Sequence, residues 1–228
     1  MALRHPSSYS LSIDKQIGDE MAARGRPLTF DRDVALRSAM DLFWERGYEG
    51  TSMKDLSEAM GIASASIYVS FGSKEALFRE AVALNAATQG QPPRVALREQ
   101  PTAYEAIHAM LRAVADTITI PGSPRGCMLV LAAPTGAIEN HPVREFLADI
   151  RRAQFEEIRQ RLVRGIHDGD LAASTDSLTA IARYYTTVMH GLSVQARDGA
   201  SRAELETVIT LAMAAWKTLA PDAPAVEQ

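Results

Sequence analysis

A single cysteine, Cys127, among 228 residues leaves no partner for an intramolecular disulfide. No apolar run is long enough to span a bilayer, and no charged-then-apolar signal segment opens the chain, so the cytoplasm is the expected compartment and no membrane partner is implied. The residues show no nucleophile elbow, no phosphate-binding Gly loop and no Ser, His and acid set in context, so an enzyme finds no support. His108, His141, His167 and His190 lack the i, i+4 or Cys-x-x-Cys spacing of a metal site, and no cofactor is called for. Positive charge is also short. The formal net charge is −4, and residues 1–83 hold ten Lys and Arg against twelve Asp and Glu, so composition alone does not nominate a nucleic acid as partner.

What is present is helical. An apolar content of 46% is ample for a core, and the length exceeds one typical domain, so two closely joined domains are expected. Residues 31–46 carry Ala35, Ala39, Leu42 and Phe43 on one stripe and end at Gly47. Ser52 with Asp55 resembles a capping box, and Met53, Leu56 and Met60 then recur at i, i+3 and i+7. Gly61 stands where the chain must reverse with positive φ, and Ile62 follows as an apolar plug. A second short helix runs through Ile67, and Ser73 caps a third that opens Lys74-Glu75-Ala76-Leu77. A helix, a Gly-centred turn and a second helix form either a plain hairpin in an all-α core or the unit that delivers a helix into the DNA major groove.

At about 100° per residue, Ile67 points one way on the second helix and Ala65 and Val69 point nearly opposite, with Ser64 and Tyr68 on one flank and Ser66 on the other. That outer face holds no Arg, Lys, Asn or Gln, so the bidentate pairings that read guanine and adenine are unavailable. Thymine-methyl contacts by Ala65 and Val69 are expected instead, with Ser64 and Ser66 hydrogen-bonding to phosphate or base.

The matching elements Arg24-Gly25-Arg26-Pro27, Leu42-Phe43-Trp44-Glu45-Arg46-Gly47-Tyr48, Thr51 to Asp55, Gly61-Ile62, Ile67-Tyr68 and Phe71 to Leu77 together resemble the DNA-binding domain of the tetracycline-repressor (TetR) family of bacterial regulators. The resemblance covers residues 24–80. It implies that Tyr68 and Lys74 contact phosphates, that Thr51 and Ser52 approach the DNA backbone, and that residues 64–69 face bases. Lys74 is a point charge at a helix N-terminus, where backbone amides also favour phosphate. Arg24 and Arg26 form a basic arm able to reach the phosphate backbone or minor groove, or else a solvated basic end with no defined contact. Many family members place Ser at the position of Ala63, a basic or polar group at Ser64, Gly at Ala65 and an aromatic at Ser70, so an operator sequence does not transfer to this chain. The missing cap at Ala63 costs the second helix ~1 kcal/mol unless Ser64 caps it instead. Residues 1–23 read as a flexible extension, with Met21 an alternative start to Met1, and residues 221–228 as a flexible tail.

From residue 81 to 220 the pattern is helical, interrupted by Pro and Gly at 89–93, 121–126 and 134–136, with no β-alternation. Thr102 and Glu105 form another capping box, Val143 to Leu162 mark one long helix ending near 165–169, and Ser201 with Glu204 caps the last. The last two helices, carrying Leu178, Ile181, Tyr185, Val188 and Leu192 and then Leu205, Val208, Ile209, Ala212 and Trp216, suit either packing within the monomer or a homodimer built as a four-helix bundle. Ala180, Thr187 and Gly191 allow close approach, and dimers through these helices are common in the family resembled. Between them, Met110, Leu111, Met128, Phe155, Tyr184, Tyr185 and Met189 are candidates to line a pocket for an unidentified small-molecule effector, with core packing the competing role for each. Cys127 reads as a small apolar residue opening a helix rather than as an oxidation sensor.

The expected protein is all-α, with an N-terminal three-helix helix-turn-helix DNA-binding domain and a C-terminal helical domain for ligand binding and dimerisation. It is expected to repress from a palindromic double-stranded DNA operator and to be released by a small molecule. A dimer of the same fold that binds a small molecule without specific DNA recognition is the alternative.

Overall fold

Short-range signals in the chain set the first four helices, and the computed structural model describes them within residues 30–133 and 137–219. Helix α1 (Arg32–Arg46) stops at Gly47, whose φ of 74° lies in the left-handed region that costs glycine little. A Cβ at this position would lie 2.8 Å from the Ala132 carbonyl oxygen, so glycine is required for space as well as for conformation. Helix α2 (Met53–Met60) opens on the expected capping box. Ser52 Oγ accepts from the Asp55 amide at 3.1 Å, and Asp55 Oδ2 accepts from the Ser52 amide at 2.8 Å. The turn follows at Gly61, φ 66°, and Ser57 locks it by donating to the Ile62 carbonyl at 2.5 Å.

Helix α3 (Ser64–Phe71) begins at Ala63 with no side-chain cap, so Ser64 does not make good the missing group. What holds α3 is burial of Ile67 and Phe71 on its inner face. Helix α4 (Lys74–Thr88) is capped by Ser73, whose Oγ accepts from the Ala76 amide at 3.0 Å. Phe43, Tyr48 and Phe78 close this first group of helices, with Phe78 edge-on to both other rings at 5.1 Å.

The proline and glycine stretch at 89–93, read from sequence as an interruption, is mostly helix. Helix α5 (Gln91–Glu99) starts there because Pro92 and Pro93 occupy its first turn, where no intrahelical N–H is needed. Helix α6 (Ala103–Thr117) follows its Thr102–Glu105 capping box. After the loop that includes Gly122 and Gly126 come the short α7 (Met128–Leu131), a 3-10 turn (Ile138–Asn140) and α8 (His141–Asp168), which spans the molecule. Helices α9 (Thr175–Arg197), α10 (Arg202–Ala214) and α11 (Trp216–Leu219) complete the chain. Every regular element among the described residues is helical.

The large core lies between α6, α8, α9 and α10, around Ile107, Leu111, Ile158, Leu162, Tyr185 and Ile209. Hydrogen bonds tie this body to the first helices. The Tyr48 amide donates to the Ala132 carbonyl at 2.8 Å, and Trp44 Nε1 donates to the Gly126 carbonyl at 2.8 Å. Arg197, in the last turn of α9, donates to the Trp44 and Glu45 carbonyls at 2.7 and 2.8 Å, covering the open C-terminal end of α1. Segment 1–23, Arg24, Arg26, residues 134–136 and residues 221–228 lie outside the described residues.

Candidate nucleic-acid interface and effector cavity

Two features stand out, one on the outer face of α3 and one inside the helical body. On α3, Ile67 is fully buried while Tyr68 and Val69 are 51% and 84% exposed. Ala65 is exposed beside them, and Ser64 and Ser66 are partly so. The helical rotation inferred from sequence is therefore the one adopted. The face offers a methyl, an isopropyl group, two hydroxyls and a phenol, which suits apolar contact and single hydrogen bonds but not bidentate reading of a base.

Lys74 sits at the first position of α4, its ammonium 4.3 Å from the centre of the Tyr48 ring. Burial pulls its pKa below the usual lysine value, while Glu49 and Asp55 pull the other way. Ser52 is exposed, but its hydroxyl and amide are both engaged by Asp55, whose carboxyl those bonds hold below the usual carboxylate range. Thr51 differs from the expectation. Its side chain is completely buried and its hydroxyl donates to the Gly47 carbonyl at 2.7 Å, so it braces the α1–α2 turn and does not present a side chain outward.

The second feature is a cavity of about 80 Å³ between α4, α5, α6, α7, α8 and α9. Of the seven residues nominated from sequence, Met110, Met128 and Met189 line it. Leu111 and Tyr185 do not: both are fully buried in the core, and the Tyr185 hydroxyl donates to the Ala212 carbonyl at 3.3 Å. Tyr184 stacks edge-on to Tyr185 from the partly exposed side of α9, and Phe155 lies under the Arg183 guanidinium at 4.1 Å, so neither reaches the cavity. Periodicity found the buried stripe but could not tell a core wall from a cavity wall.

Sequence reasoning missed the polar lining, which includes Asn85, Gln154, His190 and Ser193, and also Trp44 from α1. Only Asn85 carried a signal. It stands in line with Phe78, Ala81 and Val82 on the inward stripe of α4, a polar group where the pattern asks for an apolar one. Burial, and secondarily Arg151, lower the His190 pKa and favour the neutral imidazole. The Cys127 thiol is pushed up by burial, away from the thiolate form a reactive cysteine needs.

Residues 35–81 match the family model "Bacterial regulatory proteins, tetR family". The HTH-type transcriptional repressor ComR of Escherichia coli K12 is 30% identical over 204 residues, covering 86% of this chain and 94% of ComR. The repressor BdcR of the same organism is 28% identical over 195 residues, covering 86% and 93%. Among solved structures, a cysteine-substituted form of the TetR family transcriptional regulator CifR complexed with 26-bp operator DNA is 47% identical. It aligns over 84% of this chain and 100% of CifR with a TM-score of 0.81. An all-helical body with a helix-turn-helix at residues 53–71, the family match across that unit and near full-length similarity to repressors place the chain in the TetR family of DNA-binding bacterial transcriptional regulators.

Proposed function

We propose that this protein is a cytoplasmic repressor that binds a palindromic operator as a homodimer and leaves it when a small molecule fills the cavity. The observation that carries the reading is the outer face of α3: a valine 84% exposed, next to Ala65 and Tyr68, on a helix whose opposite side is fully packed. Ala65 and Val69 then meet thymine methyls, Ser64 and Ser66 hydrogen-bond nearby, and Tyr68, Lys74 and Ser52 approach phosphates. Lys74 brings its charge to the N-terminus of α4, where the Ala76 amide is taken by the Ser73 cap. Arg24 and Arg26 precede α1 and supply a basic arm.

Dimerisation uses α9 and α10. Tyr184, Thr187, Gly191 and Val194 form an exposed stripe on α9, and Val208 and Leu211 form another on α10, with Leu211 68% exposed. A two-fold axis through these stripes pairs each with its own copy, and the space over Gly191 admits close approach. Two half-sites one helical turn apart require such a dimer.

The route between the two features is short. Helix α4 begins at Lys74 and carries Asn85 into the cavity wall, roughly 16 Å away at 1.5 Å per residue. Trp44 lines the same cavity from the last turn of α1. An effector works only through its different affinity for the DNA-bound and free arrangements of these helices.

The test is footprinting of the DNA upstream of the chain's own gene at two salt concentrations, with random-sequence DNA as control. Salt-sensitive protection of two A·T-containing palindromic halves is expected. Binding without sequence preference would return the reading to a ligand-binding dimer that does not recognise DNA.

A further inference from the structure

The cavity's polar groups say what kind of molecule it accepts, provided the effector reading above holds for this site. Asn85 Nδ2, Gln154 Oε1 and His190 Nε2 are buried without a hydrogen-bond partner, and all three residues line this one cavity. Asn85 is only 3% exposed, so bulk water does not satisfy its donor. A buried polar atom left unpaired is costly, and native proteins leave few of them; three around one cavity mark a place where a ligand completes the bonding. Much of the remaining lining is apolar, with Met110, Met128 and Met189 its adaptable members.

The ionised residues of the lining are paired. Arg94 and Glu157, the ionised groups in the wall, are both partly exposed and pair with each other at 3.2 Å. His190 is held toward neutrality, and the nearby Arg151 spends a guanidinium N–H on the Leu129 carbonyl at 2.8 Å. An ion entering this cavity would lose its hydration and meet no unpaired ionised group among the lining residues to replace it. The size is also restrictive. About 80 Å³ is roughly half the ~150 Å³ of a cavity that takes benzene.

We propose that the cavity binds a small, uncharged molecule with a short apolar body and one group that both accepts and donates a hydrogen bond, a hydroxyl or a primary amide. Its oxygen accepts from Asn85 Nδ2 and its O–H or N–H donates to Gln154 Oε1. His190 Nε2 takes either role according to its tautomer.

The probes are propionamide and 1-propanol, set against 1-chloropropane, propionate and propylammonium. Protein labelled at the methionine methyls is titrated by NMR, because Met110, Met128 and Met189 report from the cavity wall. Propionamide and 1-propanol are expected to shift these three signals with a Kd at least about tenfold below that of 1-chloropropane and of both ions. The conservative Gln154→Met variant, its fold checked by the Met40, Met60 and Met213 signals from outside the cavity lining, should lose that preference while still admitting 1-chloropropane. Equal binding of 1-chloropropane, tighter binding of either ion, or no shift of the three methyls with any probe would overturn the proposal. Operator release is read separately by fluorescence anisotropy. Filling of the cavity without release would sink the effector reading and leave this one intact, whereas release by a probe that leaves the three methyls unmoved would sink this one and leave the regulator standing.

Discussion

The face of α3 and the cavity behind α4 are built on opposite plans. The first puts apolar groups, Val69 and Ala65, out in solvent, and the second hides polar ones, Asn85, Gln154 and His190, away from it. Both invert the ordinary rule of burial, and each inversion leaves a group in surroundings that only another molecule improves. They differ in what they ask of that molecule. The α3 face is open, so on the proposed reading it meets methyl groups and its affinity rests on phosphate contacts and on two copies acting together. The cavity is small, so a few bonds decide what enters.

The largest expected effect strikes the first plan through its dimer. Leu211→Asp places a charge in the exposed stripe of α10 and should convert a dimer to monomers in sedimentation. Operator affinity should drop by about 100-fold or more, because the second half-site is no longer held close by. Next come Tyr68→Ala and Lys74→Ala, each expected to cost about tenfold in operator binding on every sequence, with Lys74→Ala also lowering the salt slope by about one. Val69→Thr should instead change the preferred base and leave the salt slope alone, which separates reading from anchoring on one helix.

Smaller again is the joint between the two regions. Trp44→Phe removes the donor to the Gly126 carbonyl and should lower stability by ~1 kcal/mol in thermal unfolding. If the joint couples the regions, the same variant should weaken the effect of a cavity ligand on DNA binding more than it weakens ligand binding itself. The smallest effect is a pH dependence at His190. Burial lowers its folded pKa below the unfolded value of about 6.5. Above that pH both states are neutral and the group contributes nothing to the slope. As pH falls through 6.5 the unfolded chain takes up a proton that the folded chain resists, so stability declines until the folded pKa is reached. His190→Leu should flatten unfolding free energy between pH 7 and 5 relative to wild type.

The two regions also differed in how far the sequence disclosed them. Ser52 with Asp55, Gly61, Ser73 and the rotation that sets Ile67 against Val69 all act within a few residues, so each was legible before any fold was known. Thr51 was the exception, because its burial depends on how the α1–α2 turn folds back over Gly47. The cavity draws on residues from Trp44 to Ser193, brought together by the packing of seven helices, and spacing along the chain carries no trace of that meeting. Tyr185 and Met189, one helical turn apart on α9, make the point: one fills the core and the other faces the cavity.

By itself, then, the sequence determined most of the helices, their caps and which side of α3 faces outward, because hydrogen bonding at helix ends and the 3.6-residue period are local. Which buried side chains meet as solid core and which surround a space was decided only in the tertiary structure, where the angle and spacing of helices distant in the chain fix what each inward-facing group touches.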